Sequence, residues 1–307
     1  MDRLLRQQLD AIARDRRSGA AQLALRAVTD LQSWLRRHPK PTEQELLDIA
    51  RALLHAQPSM APLLRLANDV ALAADAEDAS RAFPFSLSQL HKALVSAPGK
   101  IANHFWRALP RHPDRFMTYS YSSTVLKALV RARSRIRIVY CSESRPGYEG
   151  RTMASKLARA GIWVCLKTDA ALFSMAPFGH LVLGADKILR NGFENKIGTD
   201  VLVERAHRGA IKGHMRKMRF WVLADTTKFW PESVNALSPF WKLIQGPHTE
   251  VWKEAPKGLW VSNNYFCGVR FFSPIRILTE RGWMTPKQVR GYLKNIRISP
   301  RLRELAN

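Results

Sequence analysis

The chain is 307 residues long, 46% apolar, and carries a formal charge of +24. That length can bury a sizeable core as one large domain or two ordinary ones, and no stretch reaches the roughly 20 uninterrupted apolar residues a membrane span needs. The opening MDRLLRQQLDAIARDRRSG is charged where a secretion signal would be apolar, so a soluble, cytoplasmic protein without membrane contact is expected. The three cysteines, Cys141, Cys165 and Cys267, are odd in number and lack paired ligand spacing, which favours buried thiols over a metal site. No metal and no cofactor are expected.

The charge is uneven. Residues 1–113 hold 16 Lys+Arg against 11 Asp+Glu, or +5, which leaves +19 for residues 114–307. Such a field concentrates any polyanion, but no Arg/Gly-rich tail or lysine block gathers the charge in sequence. A nucleic-acid partner is therefore disfavoured against a solvated basic surface.

The first hundred or so residues read as helices. In SGAAQLALRAVTDLQSWLRR, residues Leu23, Ala27, Leu31, Trp34 and Leu35 fall on one stripe at helical period. Thr42 and Glu45, after Pro41, form a capping box that opens a second helix. Apolar, alanine-rich helical stretches follow over 60–76 and 86–109, and Pro110 and Pro113 mark a boundary. The spacing thus predicts a helical bundle over 1–110.

From Arg115 short apolar runs alternate with helical segments: Phe116–Tyr119, Ile136–Cys141, Ile162–Leu166, Leu181–Leu183 and Phe220–Ala224. Runs of this kind joined by crossovers predict a parallel sheet flanked by helices, an α/β domain over 111–307. Ligands of such sheets sit beyond the carboxyl ends of the strands, which singles out Thr118–Ser123, Glu143–Arg151, Thr168 and Asp169, Asp186, and Asp225–Lys228. The aromatic residues Phe229, Trp230, Phe240, Trp241, Trp252 and Trp260 are read mainly as packing, with a partner surface as the alternative.

Three of these strand ends carry chemistry. Tyr119-Ser120-Tyr121-Ser122-Ser123-Thr124 places hydroxyls at a helix start, which suits an anion as well as ordinary capping. ESRPGYEGR places Arg145 and Arg151 around a turn, where guanidinium groups match phosphate or pair with Glu143 and Glu149. GADKILRNGFENKIGTD offers Asp186 and Asn195 for sugar hydroxyls and Lys196 for phosphate, with Asn195 and Lys196 expected at a helix start. Asp186 is a candidate general acid or base if burial raises its pKa, or a turn residue.

The combination SGAAQLALRA (18–27), TYSYSSTVLKAL (118–129), ESRPGYEGR, GADKILRNGFENKIGT (184–199) and LTERGWMTPKQV (278–289) resembles the superfamily of the alpha, beta and delta subunits of translation initiation factor 2B. That superfamily also holds ribose-1,5-bisphosphate and methylthioribose-1-phosphate isomerases. The resemblance covers almost the whole chain and implies a Rossmann-like second domain without dinucleotide and a homodimer formed through it. In the isomerases a cysteine and an aspartate convert an aldose 1-phosphate to a ketose 1-phosphate. The aspartate matches Asp186, and the sugar and phosphate contacts match Arg145, Arg151, Asn195 and Lys196, with Arg17, Gly19, Ser122 and Glu149 completing the expected set. The cysteine position falls on Ser120, in the wording of the initiation-factor subunits. The resemblance thus implies a sugar-phosphate-binding protein with isomerase chemistry reduced or absent. The alternatives are an active isomerase using Asp186 and a regulatory or assembly subunit acting through a protein partner.

Overall fold

The computed structural model describes residues 1–15, 18–175, 179–211, 218–231, 245–272 and 275–306. Five helices come first: α1 (Arg3–Arg14), α2 (Ala20–Arg37), α3 (Glu43–Ala56), α4 (Ala61–Ala74) and α5 (Ala79–Ala108). In α2 the stripe Leu23, Ala27, Leu31 and Trp34 is buried to within 1% of full. The Thr42 hydroxyl accepts the Glu45 N–H at 3.2 Å while the Glu45 carboxylate accepts the Thr42 N–H at 3.0 Å, closing the expected box at the head of α3.

The second half alternates strands and helices: β1 (Asp114–Met117), α6 (Ser123–Arg131), β2 (Ile136–Ser142), α7 (Glu149–Arg159), β3 (Val164–Lys167), α8 (Asp169–Phe173), β4 (His180–Leu183), β5 (Lys187–Ile188), β6 (Gly192–Lys196), α9 (Thr199–Ile211), β7 (Arg219–Leu223), β8 (Phe266–Arg270), β9 (Arg276–Thr279), β10 (Gly282–Met284), α10 (Pro286–Lys294) and α11 (Leu302–Ala306). Seven strands form one sheet in the order β10-β9-β7-β4-β1-β2-β3. All neighbours are parallel except the edge pair β9–β10. The chain steps outward from β1 to β2 and β3, then returns to β4 on the other side of β1. The crevice of such a sheet opens at that reversal, beyond the carboxyl ends of β1 and β4.

A second, three-stranded antiparallel sheet, β5-β6-β8, was not expected. It corrects the reading of Asn195 and Lys196 as the start of a helix: both lie in β6, every residue of which is buried. Asn195 pairs with Cys267 and Lys196 with Phe266 across some seventy residues of chain. Cys141 and Cys267 are buried thiols, whereas Cys165 is half-buried on the edge strand β3.

Packing crosses the midpoint of the chain. The core of the first helices takes in Leu189, Trp230, Leu302 and Leu305. The buried Asn68 amide donates to the Arg297 carbonyl at 3.0 Å and accepts the Ser299 N–H at 2.9 Å. We propose the boundary near residue 110 as a division into a helical and a sheet domain, one that the chain's final segment recrosses. Of the aromatic residues singled out, Phe229 and Trp230 are core, Trp252 and Trp260 are exposed, and Phe240 and Trp241 lie outside the described residues.

Candidate functional site

The carboxyl end of β1 turns sharply at Ser120, which holds φ at 62°. A non-glycine residue in the left-handed region carries strain that its surroundings must hold in place. Ser144, at φ 61°, supplies part of that hold, since its hydroxyl accepts the Ser120 N–H at 2.9 Å. Asp169, at the head of α8, fixes Ser144 in turn, accepting the N–H groups of Ser144 and Arg145 at 2.8 and 2.7 Å. Three successive strand ends are thereby tied together. Two residues on, the Ser122 hydroxyl caps α6 through the Val125 N–H at 3.4 Å.

Opposite this turn, Gly184-Ala185-Asp186 leaves the end of β4. Gly184 is required there: a β-carbon would lie 2.7 Å from the Ser122 hydroxyl oxygen. Gly150 plays the same part at the head of α7, where a β-carbon would fall 1.7 Å from the Ser142 carbonyl.

Two adjoining hollows occupy the crevice. The larger, open to solvent, is lined by Ser18, Gly19, Ser120, Glu149, Asp186 and Lys196 among others. The smaller is lined by Gly19, Ala20 and Ala21 at the start of α2, Ser122 and Ser123 at the start of α6, and Asp186, Asn195 and Lys228. The amide groups that open a helix lack intrahelical partners and carry the positive end of its dipole. Two such helix starts converge on the smaller hollow, and the Lys228 side chain adds a full charge.

The cations differ in what they touch. Lys196 is buried and its ammonium donates to Glu149 at 2.7 Å. The second Glu149 oxygen is buried without a partner among the described residues. Lys228 is 4% exposed and makes no ion pair or side-chain hydrogen bond among the described residues. Asp186 lies between the two hollows, keeping some contact with solvent through them. Burial pushes its carboxyl above the ordinary carboxylate range, against the opposing pull of Lys228 and Lys196.

Of the site residues expected from sequence, Gly19, Ser120, Ser122, Glu149, Asp186, Asn195 and Lys196 line one or both hollows. Arg145 and Arg151 do not line them. Both are exposed: Arg151 pairs with Glu143 at 2.8 Å and stacks on the Tyr148 ring at 4.0 Å, and Arg145 donates to the Tyr148 hydroxyl at 2.5 Å. Arg17 lies outside the described residues. Lys228 is the residue that the sequence reading left out of the ligand set, although it stands among the strand ends. Its position directly before two apolar rings, Phe229 and Trp230, is the signal that this lysine is drawn inward.

A family model described as "Initiation factor 2 subunit family" matches residues 16–240. A translation initiation factor eIF-2B subunit 2-like protein of Pyrococcus furiosus is 32% identical over 191 residues, covering 61% of this chain and 65% of that relative. Ribose 1,5-bisphosphate isomerase of Thermococcus kodakarensis is 28% identical over 222 residues, or 65% of each chain. The match thus spans just under two thirds of the length of these relatives. Among solved structures, the translation initiation factor eIF-2B of Pyrococcus horikoshii OT3 superposes with a TM-score of 0.76 at 24% identity, covering 93% of this chain and 98% of that one.

Proposed function

The chain belongs to the Initiation factor 2 subunit family, and from that premise we propose that its crevice binds a phosphorylated sugar. The observation that carries this reading is the smaller hollow, where two helix starts and the buried Lys228 converge beside Asp186. A phosphate group there meets amide N–H donors, serine hydroxyls and an ammonium, all of which suit a dianion. Sugar hydroxyls then fall toward Asp186, Asn195 and Ser120, with Lys196 and Glu149 at the far side of the larger hollow. Arg145 and Arg151, on the exposed turn outside, would reach a ligand only by leaving Tyr148 and Glu143.

Aldose–ketose conversion requires a base that takes a proton from the carbon beside the carbonyl and an acid that serves the oxygen. Asp186, with its raised pKa, suits the acid. A base is harder to find. Ser120 stands where the isomerase thiol is expected, and a hydroxyl without a neighbouring base is a poor proton acceptor. Its side chain has no hydrogen-bonded histidine or carboxylate among the described residues. We therefore read the protein as one that holds a sugar phosphate and turns it over slowly or not at all.

Titration with a panel of pentose and hexose mono- and bisphosphates, followed by NMR for aldose-to-ketose conversion, tests both halves. Binding without conversion, lost in Lys228→Met, is the expected result. Conversion that disappears in Asp186→Asn would establish an isomerase with a different base, and absence of all binding would overturn the reading. A protein partner or a second copy of the chain is favoured by one further observation: Trp163 and Trp260 are 79% and 89% exposed. Light scattering of the wild type against Trp163→Ser and Trp260→Ser tests that, with a shift to lower mass expected.

A further inference from the structure

Residues 79–142 carry eleven Lys+Arg and a single acid, Asp114. That acid lies 3.5 Å from the buried His180 and accepts the Arg115 N–H at 2.7 Å. The basic residues are spread along the sequence, so no block of charge is visible there. Folding gathers them, because α5 packs lengthwise on α6 through Ile101, Ala102 and Phe105 against Val125, Ala128 and Leu129. Neither helix contains an aspartate or glutamate. Their outward faces form a seam with a row of cations on each side.

Lys92, Lys100 and Arg107 are exposed and recur on one stripe of α5. Across the seam Lys127 reaches over Gly99, its ammonium 3.7 Å from where a β-carbon of that residue would stand. One turn on, Arg131 donates to Asn103 at 3.2 Å and lies 4.4 Å from the centre of the Trp106 ring. Arg135 stacks on the same ring at 4.5 Å and caps the end of α5 by donating to the carbonyls of Trp106 and Leu109 at 2.6 and 2.8 Å. These two guanidinium groups are already ordered, so binding them costs little side-chain entropy, and each keeps further N–H donors for another acceptor.

We infer that this seam is a docking surface for the phosphodiester backbone of A-form RNA, contacted without reading of sequence. Lys127 and Arg131 stand about one turn, roughly 5.4 Å, apart on α6, and Lys92, Lys100 and Arg107 recur at about two turns on α5, steps that one and two closely spaced phosphates of an A-form strand match better than the wider spacing of B-form DNA. The deep, narrow major groove of A-form RNA is closed to side chains, so cations on two packed helices would meet its phosphates and 2′-hydroxyls across the minor groove. The seam lies on helices outside the crevice, so the sugar-phosphate reading can stand or fall separately.

The test is fluorescence anisotropy with a labelled RNA duplex of arbitrary sequence, its DNA counterpart, and phosphatidylserine vesicles. Salt is varied from roughly 50 to 200 mM, where loss of phosphate contacts is read directly from the slope. One variant combines Lys100→Glu, Arg107→Glu, Lys127→Glu and Arg133→Glu, all exposed positions. A control of equal charge combines Lys253→Glu, Lys257→Glu, Lys287→Glu and Lys294→Glu. The expected result is RNA binding that the seam variant loses by about 100-fold or more, with a salt slope shallower by about three, while the control keeps most of it. Circular dichroism and unchanged thermal melting establish that the variants fold. Equal loss in both variants, stronger binding to DNA, binding to vesicles alone, or no binding at low salt would each overturn the inference.

Discussion

Asp186 opposes folding in its ionised form. Burial outweighs the attraction of Lys228 and Lys196, so its carboxyl holds a proton more tightly in the folded chain than in the unfolded one. A raised carboxyl pKa means that stability is lost as pH rises through the folded value. Asp186→Asn is therefore expected to raise the urea midpoint near neutral pH, with a gain that shrinks as pH falls toward the unfolded carboxyl pKa of about 3.9. The same variant should weaken ligand hydroxyl contacts, so stability and function move in opposite directions. A variant less stable than the wild type at neutral pH would mean that the two lysines depend on this carboxylate more than it costs. Lys228→Met is the complementary case. With no ion pair within salt-bridge distance among the described residues, the free protein should lose only the longer-range attraction of Lys228 for Asp186, while phosphate affinity falls by about 10- to 100-fold, the worth of a charge-assisted hydrogen bond. Isothermal titration with inorganic phosphate and with a pentose phosphate measures it.

At the scale of elements, the turn after β2 works as a clamp. Asp169 holds the N–H groups of Ser144 and Arg145, and Ser144 holds that of Ser120. Asp169→Ala should cost about 2 kcal/mol, the loss of two charge-assisted bonds offset by solvent, and should release Ser120 from its left-handed conformation. Weaker ligand binding, measured by titration alongside urea unfolding, is the expected companion. The parallel strands β2, β4 and β7 were legible because each is an apolar run with a polar end, whereas β1 (Asp114–Met117) is shifted two residues before the expected Phe116–Tyr119. The strand β6 was not, since Gly192-Phe193-Glu194-Asn195-Lys196 is polar in composition and buried only by pairing with β8 far along the chain. Its Glu194 lies 3.1 Å from the fully buried Lys187, an ion pair that no local pattern announces. The same limit explains the ligand set. Two arginines around a turn are conspicuous in sequence, yet they sit on its outer side, whereas one lysine before two aromatic residues is inconspicuous and points inward. Small residues were the better guide: Gly184 and Gly150 stand where backbone and side chain approach too closely for a β-carbon.

At the scale of the molecule, two titrating groups act in opposite directions from opposite halves of the chain. His180, on β4, accepts the Trp221 ring N–H at 3.0 Å through Nδ1 and lies 3.5 Å from Asp114 through Nε2. Burial pushes its pKa down to about 4. The unfolded chain takes up that proton below about 6.5, so stability falls as pH falls from there toward 4, by about 3 kcal/mol in all. Asp69, on α4, is pushed up to about 6 by burial, against the pull of Arg65. Here the folded chain holds the extra proton, so stability falls as pH rises from about 4 to 6, again by about 3 kcal/mol. Relative to the wild type, Asp69→Asn should gain that amount on going from pH 4 to 7, and His180→Gln should gain it on going the other way. The two variants also test how the chain comes apart. The final segment fastens to the helical half through Asn68, through Ser299 to Asp75 at 2.8 Å, and through Arg301 to Asp75 at 2.9 Å. If that fastening couples the halves, both shifts appear in one unfolding transition followed by tryptophan fluorescence and circular dichroism. If the helical and sheet domains unfold separately, the Asp69 shift belongs to one transition and the His180 shift to the other, and cutting the fastening with Ser299→Ala and Arg301→Ala together should move a coupled chain toward that behaviour.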